Sequence, residues 1–456
     1  MNAENMKGKK ILVIGFGKSG IAAAQAMSNL GAIVSVQDSK TKDQFDPSLM
    51  SVFQDAGVKF YLGETPQDFS QFDMIILSPG VSPELPFIQE AQAQGVEITG
   101  ELEIAYRIGS GNYVAITGTN GKTTTTTLVG EIFRRAGKPT HVVGNIGVAV
   151  ITESVHSKEE DWLITECSSF QLETTRYFKP VISAILNLTP DHLNRHHTME
   201  AYGAAKAKVF ANQTSDGYLV INSDDKVCYA LADGCRAKVV PFSMEQEHTP
   251  GAFVKDGRIV VRDEDGRDHD ILGRDEIRII GDHNVMNVLA AAAISFFAGI
   301  EPRVIGDAIR EFNGVAHRIE YCGEIDGVRY YNDSKGTNTD AAITAIHALK
   351  KNIILIAGGD AKGQSFDGFL KEFPGRVKKM ILLGRDAKMI QEAADRAGFR
   401  DYCFEKDMND CVKKAYELAE PGDVVLLSPA CASWDMYDNF EQRGDHFKMC
   451  VEELAR

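Results

Sequence analysis

The chain of 456 residues is long enough for about three domains that each bury a hydrophobic core. Its 44% of hydrophobic and 25% of charged residues are typical of a folded globular protein and exclude a largely disordered chain. The net charge of −15, from 49 Lys and Arg against 64 Asp and Glu, excludes bulk electrostatic binding to nucleic acid or to an anionic membrane.

The cysteines and the apolar segments indicate a cytoplasmic protein. The eight cysteines are scattered without a CxxC pair, as expected of reduced thiols, and they do not indicate a zinc site. The polar start MNAENMKGKK does not read as a signal peptide. The longest apolar segment, residues 285–300, is interrupted by Asn287 and Ser295 and is shorter than the roughly 18 apolar residues of a membrane span. It predicts a buried helix.

Residues 1–103 contain the pattern of a dinucleotide-binding domain. A strand leads into a GxGxxG turn and an alanine-rich helix, and the next strand ends at Asp38. Taken alone, this pattern predicts NAD binding. The turn contacts a pyrophosphate through backbone N–H groups and a helix N-terminus, so a UDP-sugar fits the same pattern. A further strand at 74–77 runs into the tight turn SPGV at 78–81.

The stretch YVAITGTNGKTT, residues 113–124, predicts a phosphate-binding turn between a strand and a helix. Gly118 and Gly121 allow the backbone to aim N–H groups at phosphate oxygens. Lys122 would neutralise phosphates, and Thr123 is a candidate Mg²⁺ ligand. The first glycine of the strict P-loop pattern is missing, but the strand before the turn and the helix after it favour ATP or GTP as the ligand.

Two further strands of this part of the chain end in possible metal ligands. Glu166 follows one predicted strand and His192 follows the next, at the edge where a parallel sheet binds its nucleotide. An ordinary surface carboxylate explains Glu166 equally well, and a solvated loop explains His192. The following segment, residues 199–210, has helical periodicity, and on pattern alone its Lys206 and Lys208 are exposed.

From about residue 315 the chain again alternates between predicted strands and helices. Strands are predicted at 329–332, 352–357, 379–383 and 423–428. Polar clusters follow three of them and supply candidate ligand-binding side chains: Asp333, Lys335, Thr337, Lys362 and Ser433. Each cluster alone is explained by turn chemistry, whereas together they predict one crevice at the edge of an open sheet.

Seven short motifs of the chain resemble, in order, the signatures of the Mur ligases. They are GTNGKTT (118–124), GNIG (144–147), ECSSFQL (166–172), TPDHLNRH (189–196), AHR (316–318), NDSK (332–335) and GGDAKG (358–363). The resemblance extends from Gly15 to Gly444. GFGKSG, SPGV and SPACASWDMYDNFEQRG are most similar to the family members that add D-glutamate.

The resemblance implies an α/β protein of three domains. It implies a Rossmann-like UDP-binding domain at 1–103, a central P-loop ATPase-like domain with a parallel sheet at 104–314, and a Rossmann-like C-terminal domain that binds the amino acid at 315–456. It also implies a monomer whose partners are small molecules, without nucleic acid or membrane.

The resemblance further implies an ATP-dependent ligase that adds D-glutamate to UDP-N-acetylmuramoyl-L-alanine in peptidoglycan precursor synthesis. A carboxylate does not react with an amine at neutral pH, so the L-alanine carboxylate would first accept the γ-phosphoryl group of ATP. The amine of D-glutamate would then displace phosphate from this acyl phosphate, with charge stabilised by lysine and two Mg²⁺ ions. Three alternatives stay open: a Mur ligase for another amino acid, an NAD-dependent oxidoreductase, and a nucleotide-dependent switch.

Carried over position by position, the resemblance assigns residues to each ligand. Expected at ATP are Gly118, Thr119, Asn120, Gly121, Lys122, Thr123, Thr124, Asn284, Asn287, His317, Arg318, Asp333 and Lys335. Expected at the UDP substrate are Gly17, Lys18, Ser19, Asp38, Ser39 and Gly80. Expected at D-glutamate are Thr337, Lys362, Ser433 and Phe440. Expected at the metal ions are Thr123, Glu166, His192 and Lys206. Expected in catalysis are Lys122, Asn145, His192 and Lys206.

Three points of this carry-over are specific to the chain. Lys206 would carry a CO₂-derived carbamate, which turns a cation into an anionic metal ligand. Asn194 stands where the family usually has Asp, which puts any role of that carboxylate in doubt. Trp434 stands where leucine is common, which changes packing or pocket shape. No residue is identified as the base that deprotonates the incoming amine.

Overall fold

Three β-sheets, each flanked by helices, follow one another along the chain. The computed structural model describes residues 3–455, which form two units. One unit, residues 3–276 with 285–310, contains the first two sheets, and the other, residues 277–284 with 311–455, contains the third. The sheets have parallel cores, so the predicted α/β class is confirmed. The residue bounds of the three domains stay a prediction.

The first sheet is five-stranded and wholly parallel. Its strands are β1 (Lys10–Ile14), β2 (Ile33–Asp38), β3 (Lys59–Leu62), β4 (Met74–Leu77) and β5 (Glu97–Gly100). Its helices are α1 (Lys18–Asn29), α2 (Pro47–Asp55), α3 (Pro86–Ala93) and α4 (Glu101–Ile108). The strand order is β3-β2-β1-β4-β5. A Cβ at Gly20 would lie 1.8 Å from the carbonyl oxygen of Gly15, so only glycine lets α1 pack this close to β1.

The second sheet has nine strands, of which β6 to β12 are parallel. They are β6 (Asn112–Thr117), β7 (Thr140–Gly144), β8 (Trp162–Glu166), β9 (Ile182–Ile185), β10 (Tyr218–Asn222), β11 (Lys238–Ser243), β12 (Gly251–Lys255), β13 (Arg258–Arg262) and β14 (Asp268–Gly273). The order is β14-β13-β12-β11-β10-β9-β6-β8-β7. The antiparallel extension through β13 and β14 was not predicted, because its short turns and charged outer faces resemble loop sequence.

Eight helices accompany this part of the chain. They are α5 (Lys122–Arg135), α6 (Val150–Ser154), α7 (Ser169–Glu173), α8 (Leu193–His196), α9 (Met199–Ala207), α10 (Lys226–Tyr229), α11 (Asp282–Phe297) and α12 (Pro302–Glu311). α11 confirms the predicted buried helix, since residues 288–294 have no exposed surface. Within residues 3–455, none of the helices has both the length and the apolarity to cross a bilayer.

The third sheet has six strands, and only its edge strand β15 is antiparallel. The strands are β15 (Glu320–Ile325), β16 (Val328–Asn332), β17 (Ile353–Ala357), β18 (Val377–Leu382), β19 (Tyr402–Phe404) and β20 (Val424–Leu427). The helices are α13 (Thr339–Leu349), α14 (Asp367–Leu370), α15 (Ala387–Arg396), α16 (Met408–Leu418) and α17 (Phe440–Leu454). In the order β15-β16-β20-β17-β18-β19, the three strands followed by predicted polar clusters are neighbours.

All eight cysteines are free thiols. Five are buried in the cores and three are partly buried. Burial raises the pKa of the Cys228 thiol to about 12, which keeps it protonated and unreactive at neutral pH.

Candidate active site

The phosphate-binding turn is built between β6 and α5. Gly118 and Gly121 have φ angles of +149° and +82°, which other residues rarely adopt. A Cβ at Gly121 would lie 2.2 Å from Oδ1 of Asn287, so a larger residue has no space there. Nζ of Lys122 donates to the carbonyl oxygens of Gly118 (2.9 Å) and Thr119 (2.8 Å). The sequence motif therefore forms a strand, a glycine turn and a helix N-terminus with a lysine folded over the turn, which is the architecture of an anion site.

Lys206 lies beside this turn and is buried, with 1% of its surface exposed. Its Nζ donates to the carbonyl oxygen of Gly118 at 2.7 Å and lies 4.5 Å from the ring centroid of Tyr202. Burial, and then the charge of Lys122, hold the pKa of Lys206 well below its ordinary range. The exposure predicted for Lys206 is wrong, because Gly203 and Ala205 let α9 pack tightly.

Lys208 is also not exposed as predicted. It is partly buried, and its Nζ donates to the carbonyl oxygen of Glu173 at 2.5 Å. A helical pattern predicts that every lysine on the polar face is exposed. It contains no information about main-chain acceptors elsewhere in the protein that allow an ammonium group to be buried.

Glu166 ends β8 and is buried, with 2% of its surface exposed, so the surface-carboxylate alternative is wrong. Its Oε1 accepts from Nδ2 of Asn145 at 2.8 Å, and its main-chain oxygen accepts from the N–H of Asn145 at 2.9 Å. Its Oε2 has no hydrogen-bond partner anywhere in residues 3–455. A buried carboxylate oxygen without a donor is costly, and a bound cation would satisfy it.

The other predicted metal ligands are arranged less tightly. Thr123 is buried at the start of α5, whereas His192 is exposed, with its Nε2 3.4 Å from Oδ2 of Asp191. In the described part of the chain, no three His, Cys, Asp or Glu side chains gather into a metal-binding group. A Mg²⁺ ion at Glu166 would therefore take further ligands from a hydroxyl, water or phosphate oxygens, as this ion commonly does.

The glycine turn of the first sheet is held by two side chains. Oγ of Ser78 donates to the carbonyl oxygen of Gly15 at 2.7 Å, and Oδ2 of Asp38 accepts from the N–H of Phe16 at 2.6 Å. A Cβ at Gly17 or at Gly80 would meet no atom within 4 Å, so both predicted substrate positions border open space. The predicted Ser19 is partly buried and Ser39 is exposed.

The turn of the first sheet meets the GNIG loop of the second. Nζ of Lys18 donates to the carbonyl oxygen of Gly147 in this loop. The same loop holds Asn145 against Glu166. The structure thus joins the predicted UDP-substrate turn to the predicted metal ligand through a single short loop.

Asn284 and Asn287 both lie on α11 and are buried. Oδ1 of Asn287 accepts from Oγ1 of Thr125 at 3.3 Å and faces Gly121, so Asn287 borders the phosphate turn. Nδ2 of Asn284 donates to the carbonyl oxygen of Ile280 at 2.8 Å. Asn120, also predicted at ATP, donates its N–H to Oδ1 of Asn187 at 2.8 Å.

The loop after β16 contains a buried carboxyl group. Oδ2 of Asp333 accepts from Oγ of Ser428 at 2.7 Å, and its Oδ1 accepts from the N–H of Ile319 at 3.3 Å. Burial raises the pKa of Asp333 to about 7. His317 lies nearby with φ +62°, its Nδ1 3.0 Å from Nδ2 of Asn332, and burial lowers its pKa.

Arg443 is a structural residue of this edge to which sequence analysis gave no role. It is 2% exposed, and its guanidinium donates to Oγ of Ser334 (2.9 Å) and to the main-chain oxygens of Ser334 (2.8 Å) and Cys431 (3.1 Å). The hydroxyl of Ser334 in turn donates to the carbonyl oxygen of Phe440 at 2.8 Å. The motif NFEQRG contains Arg443, but the motif alone does not distinguish a buried arginine from an exposed one.

The loops that follow β16, β17 and β20 lie on one edge of the third sheet. Asp360 and Ala432 exchange two main-chain hydrogen bonds of 2.9 Å, which pairs the second loop with the third. Nζ of Lys362 lies 4.2 Å from the ring centroid of Trp434, which is 65% exposed, while Ser433 is buried. The predicted neighbourhood of the polar clusters is therefore present, and Thr337 lies in the first of the loops.

Profiles of three Mur ligase domains match the chain in order. Residues 9–100 match the Mur ligase MurD-like N-terminal domain, residues 116–295 the Mur ligase middle domain, and residues 317–431 the Mur ligase glutamate ligase domain. The UDP-N-acetylmuramoylalanine–D-glutamate ligase of Alkaliphilus oremlandii is 48% identical over 99% of this chain and 100% of its own length. The chain belongs to the Mur ligase family.

Other members of the Mur ligase family are similar over the same extent. The UDP-N-acetylmuramoylalanine–D-glutamate ligases of Thermoanaerobacter sp. (strain X514) and Clostridioides difficile are each 46% identical over 99% of this chain and 100% of their own lengths. Among solved structures, UDP-N-acetylmuramate–alanine ligase MurC of Thermotoga maritima has a TM-score of 0.60 at 19% identity and covers 98% of this chain and 100% of its own. That likeness shows the shared fold.

Proposed function

We propose that this Mur ligase uses ATP to join D-glutamate to UDP-N-acetylmuramoyl-L-alanine in peptidoglycan precursor synthesis. The observation that carries the proposal is the identity of 46–48% over 99% of the chain to relatives named for this reaction. A Mur ligase for another amino acid is the alternative of the same class. An NAD-dependent oxidoreductase or a switch would leave either the phosphate turn or the polar edge of the third sheet without a role.

The phosphate turn fits a nucleoside triphosphate. Gly118 and Gly121, which have no side chains, bracket the turn, and α5 presents its N-terminus to it. Lys122 and Lys206 both place their side-chain nitrogens at the carbonyl oxygen of Gly118. We assign Lys122 the neutralisation of charge during transfer of the γ-phosphoryl group to the L-alanine carboxylate.

Glu166 and Thr123 fit one Mg²⁺ ion. The unpartnered Oε2 of Glu166 supports this assignment, because a hard cation is the natural partner of a buried carboxylate oxygen. When bound, the ion supplies Lewis-acid stabilisation of phosphate charge. Asn145 fixes Oε1 of the same carboxylate and so orients Oε2. A second ion, with His192 among its ligands, is part of the proposal.

The polar edge of the third sheet is proposed to bind D-glutamate. Lys362 supplies a cation and Ser433 a hydroxyl for its carboxylates, with Thr337 and the backbone at Phe440 beside them. After phosphoryl transfer, the amine of D-glutamate attacks the acyl carbon, the new C–N bond forms, and phosphate leaves with the former carboxylate oxygen. The proton of the amine passes to a base that the residues do not identify.

We also propose that Lys206 carries a carbamate. Its low pKa favours the neutral amine, whose nitrogen would form a bond to the carbon of CO₂ as one C=O π bond breaks and a proton passes to water. The product would be an anion beside the phosphate turn. The test is Lys206→Ala, which is expected to lose turnover and to regain part of it with added short carboxylates. Unchanged turnover in this variant would remove the carbamate from the mechanism.

The deciding experiment is an amino-acid selectivity assay. Phosphate release and amide formation are measured with ATP, UDP-N-acetylmuramoyl-L-alanine and one amino acid: D-glutamate, L-alanine, L-lysine or meso-diaminopimelate. Product with D-glutamate alone is the expected result. Product only with another amino acid would support the alternative Mur ligase, and NAD binding that UDP does not displace would support the oxidoreductase.

We propose domain bounds at 1–103, 104–314 and 315–456. The end of α12 at Glu311 and the start of β15 at Glu320 support the second bound, whereas the first falls within α4 (Glu101–Ile108). A cytoplasmic location and a monomeric state stay predictions from the sequence.

A further inference from the structure

The guanidinium of Arg195 is held by two other segments of the chain, α7 and the SPGV turn. Nη2 donates to Oε2 of Glu173 at 2.6 Å and to the carbonyl oxygen of Val81 at 3.1 Å. The guanidinium carbon lies 5.1 Å from the ring centroid of Phe170. The side chains of Arg195 and Glu173 are only 15% and 14% exposed, so water screens this ion pair less than a surface pair.

The partner Val81 belongs to the turn that borders the predicted UDP-substrate site. Its N–H donates to the carbonyl oxygen of Ser78 at 2.9 Å, which closes the SPGV turn. The hydroxyl of Ser78 donates to the carbonyl oxygen of Gly15 in the glycine turn. Arg195 is therefore linked by hydrogen bonds, through this turn, to the glycine turn of the first sheet.

The backbone of Arg195 belongs to residues 189–197, here called the His192 loop, which contain His192 and the short helix α8. Arg195 lies three residues after His192 and donates its N–H to the carbonyl oxygen of His192 at 2.9 Å. The ring of Phe170 contacts both, with its centroid 4.8 Å from that of the His192 ring. A displacement of the guanidinium would thus affect the SPGV turn and the His192 loop together.

We infer that Arg195 is a positioning residue that fixes the UDP-substrate turn relative to the His192 loop. This rests on the proposed function, because it assigns the SPGV turn to the UDP-linked substrate. Arginine suits the role, since its Nη2 donates to a carboxylate and a carbonyl oxygen while its planar guanidinium lies over the ring of Phe170, and a lysine ammonium has no flat face for that ring. Its partners Glu173, Val81 and Phe170 include no residue assigned to ATP or D-glutamate.

The chain offers a matched control at the other end of the same loop. Nε2 of His197 lies 3.6 Å from Oε2 of Glu84, so this pair also joins the His192 loop to the segment after SPGV. Its side chains are 66% and 67% exposed, and surface pairs of this kind contribute little. His197→Ala is therefore expected to leave the kinetics unchanged within twofold.

The experiment compares Arg195→Ala, Arg195→Lys and His197→Ala with the unmodified enzyme. For Arg195→Ala we expect the KM for UDP-N-acetylmuramoyl-L-alanine to rise about tenfold, while the KM values for ATP and D-glutamate stay within twofold. Arg195→Lys is expected to recover only part of the loss. Added guanidinium ion is expected to lower the raised KM of Arg195→Ala and to leave that of His197→Ala unchanged.

Two measurements keep the inference separate from the proposed function. Calorimetric binding of the UDP substrate to each variant needs no turnover, so it tests Arg195 even if the amino acid is not D-glutamate. A thermal melt shows whether Arg195→Ala is folded, and Arg195→Lys supplies the comparison if it is not. Equal rises in all three KM values, or UDP-substrate binding unchanged in both Arg195 variants, would overturn the inference.

Discussion

Glu101, the first residue of α4, is a buried carboxyl group whose ionisation makes the fold sensitive to pH. It is 2% exposed, and its Oε1 accepts from the N–H of Ile151 at 2.6 Å. Its Oε2 has no hydrogen-bond partner in the described residues 3–455. Burial raises its pKa from 4.5 to about 7, and hydrogen bonds from the backbone at Ile151 and Val150 oppose this rise only in part.

The sign of the effect follows from the raised pKa. The unfolded chain loses this proton near pH 4.5, while the folded chain keeps it up to about pH 7. The stability contributed by the protonated group is therefore complete below pH 4.5 and is lost as the pH rises to 7. Glu101→Gln cannot ionise, so its free energy of unfolding relative to the unmodified protein is expected to rise by about 1 kcal/mol at pH 5 and about 3 kcal/mol at pH 8.

The assay is urea denaturation at several pH values between 5 and 8.5. Trp162, in β8, reports on the unit that contains Glu101, and a Trp434→Phe background removes the only other tryptophan. Both proteins carry this background, so the titration of other groups, Asp333 included, cancels in the difference.

Glu103 provides the control for this experiment. Its carboxylate accepts backbone N–H bonds of 2.9–3.1 Å from Arg176, Tyr177 and Phe178. Glu103→Gln is expected to be less stable than the unmodified protein at pH 8 by about 1–3 kcal/mol, because an amide accepts fewer and weaker bonds. A Glu101→Gln difference that does not change between pH 5 and pH 8 would refute the reasoning.

Three further predictions concern the candidate site. Trp434→Leu removes the ring that contacts Lys362, and it is expected to raise the KM for D-glutamate about two- to fivefold. This range follows from the roughly 0.5–1 kcal/mol of an exposed cation–π pair. A fluorescence titration in which D-glutamate does not alter Trp434 emission would count against this prediction. Arg443→Met is expected to lower the free energy of unfolding by about 3 kcal/mol, because its buried acceptors lose their donor, and urea denaturation showing no loss would contradict this. Gly121→Ala is expected to raise the KM for ATP at least about tenfold, because its Cβ would collide with Asn287. Gly137→Ala is the control, since Gly137 has a similar φ but open space around it. It is expected to lower the free energy of unfolding by only about 1 kcal/mol and to leave the KM for ATP unchanged.

Local patterns of residues predicted the central strands of the first and third sheets and, in the second sheet, β6, β8 and β9. The apolar runs at 113–116 and 74–77 became β6 and β4, and the glycines at 118 and 121 became the turn before α5, because neighbours in sequence decide a strand, a turn and a helix start. The predicted strand at 182–188 ended earlier, at Ile185, and the predicted helix at 199–210 became α9 with a 3₁₀ turn at Lys208–Phe210. Ends of elements depend on contacts that the local pattern does not contain.

The sequence by itself determined the α/β class, the phosphate turn and the family, because each depends on residues a few positions apart. Only the tertiary structure decided that Lys206 is buried beside Gly118, that Glu166 keeps an unpartnered oxygen, and that Arg195 reaches Val81. Arg195 and Val81 are 114 positions apart, and Lys206 and Gly118 are 88 apart. The burial and the partner of a charged side chain are set by such distant segments, so no local pattern of letters predicts them.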